Sequence, residues 1–168
     1  MNLIIRKATL DDAPALTQAH VRSWRAAMSG FIPAKEVEKF CAGRAQRFQA
    51  SLSREEHPTH VAVLDGKVVG WFAFGPCRGD FVDERYYHLY TIFLDPDVQR
   101  KGIGRQLMAY AEEQAWANGK TAMVLKVFAK NKDSRRFYEA CGYHKDGLGK
   151  VRNDYGRRLR VLRYVKEL

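Results

Sequence analysis

Six residues in the middle of the chain, Gln99, Arg100, Lys101, Gly102, Ile103 and Gly104, have the make-up of an anion cradle. Glycines let backbone N–H groups approach an oxyanion with no Cβ in the way. A helix starting there adds unsatisfied N–H groups and the positive end of its dipole. Arg100, Lys101 and Arg105 add full charges. A Walker-type loop needs Lys-Ser/Thr after its last glycine, where this sequence has Arg105-Gln106. A dinucleotide fingerprint needs a third glycine near Leu107. Both classes are disfavoured. A pyrophosphate cradle and an ordinary basic turn at a helix start remain.

A cradle of this kind needs a strand before it and a helix after it. Residues 86–94, YYHLYTIFL, read as a strand that Asp95-Pro96 ends. Ile103, Leu107, Ala111 and Ala115 recur four apart on one helical face, and Asn118-Gly119 closes the helix. Upstream, residues 3–9 read as a strand. Thr9 or Asp11 can cap the next helix, with Pro14 tolerated in its first turn. After Pro33, residues 34–52 read as one second helix. Residues 60–74 form two β-rich runs around Asp65-Gly66, a type I′ hairpin signal. Residues 121–128 read as a strand, 134–142 as a short helix and 157–168 as a last strand. The predicted order is β-α-α-β-β-β-α-β-α-β. A hairpin in mid-chain argues against an all-parallel doubly wound sheet and for a mixed α/β sheet with helices on both faces.

The length of 168 residues fits a single domain spanning 1–168. No apolar run approaches the roughly 20 residues of a membrane span, so no membrane partner is expected. The first residues lack the apolar core of a signal peptide, and a cytoplasmic home is the simplest expectation. Cys41, Cys77 and Cys141 show neither a disulfide framework nor a paired zinc motif, and no metal is expected. His57 and His60 have metal-like spacing but no second pair, and read as a loop entering a strand. The net charge of +10 implies acidic partners. The charge is uneven: residues 147–168 hold seven Lys/Arg and two Asp/Glu, whereas residues 80–97 hold five acids and Arg85 alone.

The glycine turn does not stand alone. Gln99-Arg100-Lys101-Gly102-Ile103-Gly104 matches Q/R-x-x-G-x-G/A, and residues 131–146, NKDSRRFYEACGYHKD, match a second pattern, N-x-x-A/S-x-x-F-Y-x-x-x-G-F/Y, through Asn131, Ser134, Phe137, Tyr138, Gly142 and Tyr143. In both motifs the sequence resembles the GNAT superfamily of N-acetyltransferases, and the resemblance extends over nearly the whole chain. It implies a mostly antiparallel sheet whose central strand splays from its neighbour, with acetyl-CoA as cosubstrate in the gap. By this resemblance, the backbone of Ile92, Phe93 and Leu94 pairs with pantetheine, N–H groups from Gln99 to Gly104 hold the pyrophosphate, and Asn131 and Ser134 flank the arm. Tyr138 matches the tyrosine that protonates the leaving thiolate, a role suited to a phenol of pKa near 10. Several relatives carry a Glu as base on the central strand where this chain has His88. A neutral imidazole is a competent base, so His88, directly or through water, is the first expectation and Glu84 the second. Trp24, Met28, Phe31 and Tyr90 are expected around the acceptor. Asp80, Asp83 and Glu84 would favour a cationic amine.

The resemblance implies direct transfer to a primary amine in a ternary complex. The acceptor is expected to be a small molecule or a peptide, and a homodimer is compatible because many relatives are dimers. A non-catalytic acyl-CoA-binding module is one alternative. A basic nucleic-acid binder is another, resting on Arg157, Arg158, Arg160 and Arg163. Strand alternation divides those arginines between two faces, so nucleic acid is disfavoured as a partner.

Overall fold

Seven strands form one sheet in the computed structural model, which describes residues 2–54, 58–78 and 83–168. The chain runs β1 (Leu3–Lys7), α1 (Ala13–Met28), α2 (Ala34–Ala42), α3 (Arg44–Ser53), β2 (Thr59–Leu64), β3 (Lys67–Pro76) and β4 (Tyr86–Leu94). It continues through α4 (Ile103–Ala117), β5 (Ala122–Phe128), α5 (Lys132–Ala140), β6 (His144–Asp154) and β7 (Arg157–Glu167). The strand order is β1-β2-β3-β4-β5-β7-β6. Only β4 and β5 pair in parallel; every other neighbouring pair is antiparallel.

Alternation decides which helices cover which face. Phe72, Phe74, Leu89, Met123 and Leu125 point to α4 and α5. Val61, Trp71 and Ala73 point the other way, to Leu16 of α1 and Phe48 of α3. The stripe Ile103, Leu107, Ala111 and Ala115 is at most 1% exposed, so the four-residue spacing does place one helical face in the core. Burying the Ile and Leu of that stripe stabilises by roughly 1.5–3 kcal/mol each. Asp65 and Gly66 take φ +48° and +83°, as a type I′ hairpin requires.

Three local features differ from the sequence reading. The single helix expected over residues 34–52 breaks at Gly43, giving α2 and α3. The break turns Phe48 onto Trp71, their rings 5.0 Å apart and edge to face. The start of α1 is not capped by Asp11. Thr9 heads a 3-10 turn, and the buried Asp12 carboxylate accepts from Thr9 N at 2.8 Å and from the Arg6 guanidinium at 2.7 and 2.8 Å. Finally, β6 was not foreseen. It is an edge strand, exposed along nearly its whole length, that returns to β7 through Tyr155-Gly156.

β4 also carries a bulge. Ala73 pairs with Thr91 but Phe74 pairs with Leu89, so Tyr90 is the extra residue. The bulge inverts the alternation. Before it, Tyr87 and Leu89 face α4; after it, Ile92 and Leu94 do, while Tyr90 and Phe93 face the α1–α3 side.

Candidate active site at the β4–β5 opening

The parallel ladder between β4 and β5 ends at Leu89↔Leu125, just before the bulge, although both strands continue. A bulge bends and twists its strand, and here it turns the second half of β4 away from β5. A cavity of about 250 Å³ lies in the opening. Tyr90, Thr91, Ile92 and Phe93 form one wall and Lys126, Val127 and Phe128 the other. Asn131, Ser134 and Tyr138 line it from α5, Trp24 and Met28 from α1, and Arg152 and Tyr155 from the last hairpin.

The glycine turn lies between the end of β4 and the start of α4. Gln99 folds back, its Nε2 donating to Leu94 O at 3.0 Å, so the turn is tied to the strand end. Arg22 of α1 grips the same corner through Asp95 at 2.9 Å and Asp97 at 2.6 Å. Gln99, Arg100, Lys101 and Gly102 are exposed, whereas Ile103 anchors the helix in the core. Arg100 and Gly102 have φ of +61° and +81°. A Cβ on Gly102 would meet nothing within 4 Å, so the glycine serves backbone shape. Gly104 serves packing, because a Cβ there would sit 3.0 Å from Phe137 Cε2. The first N–H groups of α4 have no intrahelical acceptor and point out of a basic, open corner. These residues fit a pyrophosphate, and the opening between the strands fits an extended arm.

Tyr138 is 8% exposed, and burial raises its phenol pKa, so it keeps its proton through neutral pH. It is held by α5, which Arg135 and Glu139 moor to β7. Arg135 Nε donates to Tyr164 Oη at 3.1 Å, and Tyr164 Oη donates to Glu139 Oε1 at 2.7 Å. Asn131 caps α5: its side-chain oxygen accepts from Ser134 N at 3.2 Å, leaving its amide nitrogen as the donor for another partner.

His88 and Tyr90 project to the same side, rings 5.1 Å apart. They line a second, larger cavity of about 570 Å³ beside the first, and Tyr90 and Thr91 belong to both. Burial, helped by the charge of Lys126, lowers the His88 pKa to about 4, so the imidazole is neutral at pH 7. Tyr90 Oη donates to Pro76 O at 2.6 Å.

Other expected residues are placed differently. Glu84 is exposed in the turn before β4 and lines neither cavity. Asp83 beside it is engaged by Arg85 at 2.8 Å. Phe31 packs against Phe128, ring centroids 5.8 Å apart, behind the cavity wall. Asp80 and His57 lie outside the described residues. His60 is a core histidine stacked on Phe74 at 5.0 Å. Sequence reasoning missed Thr91, Lys126, Arg152 and Tyr155 at the opening, and the arginines of α3 at the larger cavity. Period-two alternation from Phe93 would have exposed Thr91. Nothing local marks the others.

A family model described as "Acetyltransferase (GNAT) family" matches residues 15–143. An uncharacterized N-acetyltransferase of Bacillus subtilis, YuaI, is 32% identical over 139 residues, 81% of this chain and 77% of its own. The chain belongs to the GNAT acetyltransferase family, a family of acyltransferases. The L-amino acid N-acyltransferase MnaT of Escherichia coli is 30% identical over 87 residues, 52% of this chain and 50% of that one. The crystal structure of PaiA N-acetyltransferase from Thermoplasma acidophilum, in complex with coenzyme A, shares the fold with a TM-score of 0.76 at 19% identity, covering 100% of both chains. Among the described residues no helix is long and apolar enough to cross a membrane.

Proposed function

We propose that the protein transfers an acetyl group from acetyl-CoA to a primary amine of a small molecule or peptide, by direct attack in a ternary complex. The observation that carries this reading is the ladder ending at Leu89↔Leu125, with Tyr138 and Asn131 in the opening and the basic glycine turn beyond it. The coenzyme A in the Thermoplasma neighbour and the substrate class named for the E. coli relative are consistent with it.

When bound, acetyl-CoA supplies the activated acyl group; the remaining work falls to side chains and backbone of this chain. N–H groups from Gln99 to Gly104 hold the pyrophosphate, and the free edge of Ile92, Phe93 and Leu94 aligns the arm as an added strand would. Asn131 and Ser134 fix its position from α5. Tyr138, protonated because it is buried, donates to the departing sulfur. His88, neutral at pH 7, takes the proton of the amine directly or through water, and Glu84, which lines neither cavity, is the second candidate. Trp24 and Met28 shield the opening, and Tyr90 stands between it and the larger cavity.

Calorimetric titration with acetyl-CoA should show micromolar binding by the wild type, lost in Gly102→Glu. In Tyr138→Phe, kcat with an accepted amine should fall about 100-fold while acetyl-CoA affinity persists. Unchanged turnover in that variant would remove Tyr138 as the acid. Absence of acetyl-CoA binding in the wild type would remove the activity.

A further inference from the structure

The larger cavity has a charge that the acetyl-transfer chemistry does not explain. Arg44 and Arg47 of α3 line it, and Arg54 and Arg78 bring two more guanidinium groups; none of its described lining residues is acidic. Arg44 is the most constrained of the four. Its guanidinium lies 4.3 Å from the centre of the Phe48 ring and 5.3 Å from that of Trp71, and its Nε is buried with no hydrogen-bond partner among the described residues. Burial, then the nearby charge of Arg47, lower its pKa to about 10. Arg47 sits one turn further along the same helix, donating to Phe40 O and resting over the Phe40 ring at 5.0 Å. Two like charges one turn apart repel each other, and a buried N–H without an acceptor is costly. An anion between the two guanidinium groups offsets that repulsion.

His88, Tyr90 and Thr91 line the same cavity, and the last two also line the opening where the acyl group would lie. The cavity therefore brings guanidinium groups and the edge of the reactive opening into one space. Its volume of about 570 Å³ suits a small molecule. We infer that the acceptor is a small amine carrying a carboxylate or equivalent oxyanion, seated with the anion on Arg44 and Arg47 and the amine beside Tyr90 and Thr91. Guanidinium groups suit such an anion because they bind its oxygens in pairs and need no proton exchange to stay charged. The inference rests on the acetyl-transfer reading and sharpens it. It also reverses the preference for a cationic amine drawn from Asp80, Asp83 and Glu84: Asp83 is engaged by Arg85, Glu84 faces neither cavity, and Asp80 lies outside the described residues.

The test uses matched acids and amides: L-methionine with L-methioninamide, L-phenylalanine with L-phenylalaninamide, and spermidine as the cation. Thiol release gives kcat/KM for each, and calorimetry gives their binding to the protein saturated with coenzyme A. The wild type should prefer each acid over its amide at least tenfold. Arg47→Gln should cut that preference at least fivefold, through KM, with acetyl-CoA affinity unchanged. Arg44→Met should do the same, with thermal unfolding confirming that it folds. Equal use of acid and amide, preference for spermidine, or acids that neither bind nor react would overturn the inference while leaving acetyl transfer standing if any amine reacts. Acid binding lost in Arg47→Gln, with no amine acetylated, would support the anion site and overturn acetyl transfer.

Discussion

Replacing His88 with Gln should flatten the dependence of stability on pH. The folded imidazole has a pKa of about 4 against 6.5 for the free side chain. Between these values the unfolded chain binds more protons than the folded one, so acidification favours unfolding. The contribution of His88 is complete above pH 6.5 and is lost as the pH falls toward 4. Linkage between about pH 7.5 and about pH 5 gives a loss of about 2 kcal/mol for this one group. The other strongly depressed histidine, His20, has a pKa of about 3 and is present in both proteins, so its share cancels in the comparison. Urea unfolding of wild type and His88→Gln at both pH values measures the difference directly. The wild type should lose about 2 kcal/mol more than the variant on acidification. Equal losses would mean that His88 titrates normally in the folded protein, and its assignment as a desolvated neutral base would fall with that result. The same displacement puts any acid limb of the kcat/KM profile due to His88 near pH 4, not near 6.5.

Three further substitutions separate shape from contact. Gly102→Ala forces a side chain into φ +81° without a steric clash; the strain of about 1–2 kcal/mol should lower Tm by about 2–8 °C in thermal unfolding, and an unchanged Tm would refute the strain. Gly104→Val drives atoms into the Phe137 ring, 3.0 Å from its Cβ position; overpacking of about 1–3 kcal/mol should appear in urea unfolding, with a fall in kcat because Tyr138 is the next residue. Asp12→Ala leaves the Arg6 guanidinium and Thr9 N–H without their acceptor. Arg6 and Thr9 hold the Asp12 carboxyl below its ordinary pKa, so the loss of about 1–3 kcal/mol should be full at neutral pH and shrink as the pH falls through that carboxyl's folded pKa.

What was legible in the sequence was whatever a local pattern records. The four-residue stripe from Ile103 to Ala115 and the Asp65-Gly66 turn each state their geometry within a few residues, and both stand in the structure as read. The break at Gly43 was not legible, because helical character resumes at Arg44 and one glycine does not oblige a helix to stop. β6 was hidden because an exposed edge strand has no buried face to impose alternation; His144, Lys145, Lys150 and Arg152 are all exposed. The bulge at Tyr90 has no signature of its own, yet it decides which side chains of β4 reach which face. The gathering of Arg44, Arg47 and Arg78 around one cavity depends on how α3 and the end of β3 meet in space, which no spacing encodes.

The short β4–β5 ladder bears on how long the protein survives. Two blocks of strands, β1-β2-β3-β4 and β5-β7-β6, share only the four pairs from Tyr86↔Ala122 to Leu89↔Leu125. Backbone amides bordering that seam should exchange with deuterium sooner than those deep inside either block. A cosubstrate lying along the open edge would bridge the blocks and hold them shut. At a hundredfold excess over Kd such a ligand adds about 2.7 kcal/mol to folding stability. Resistance to proteolysis would then rise and fall with the supply of acetyl donor.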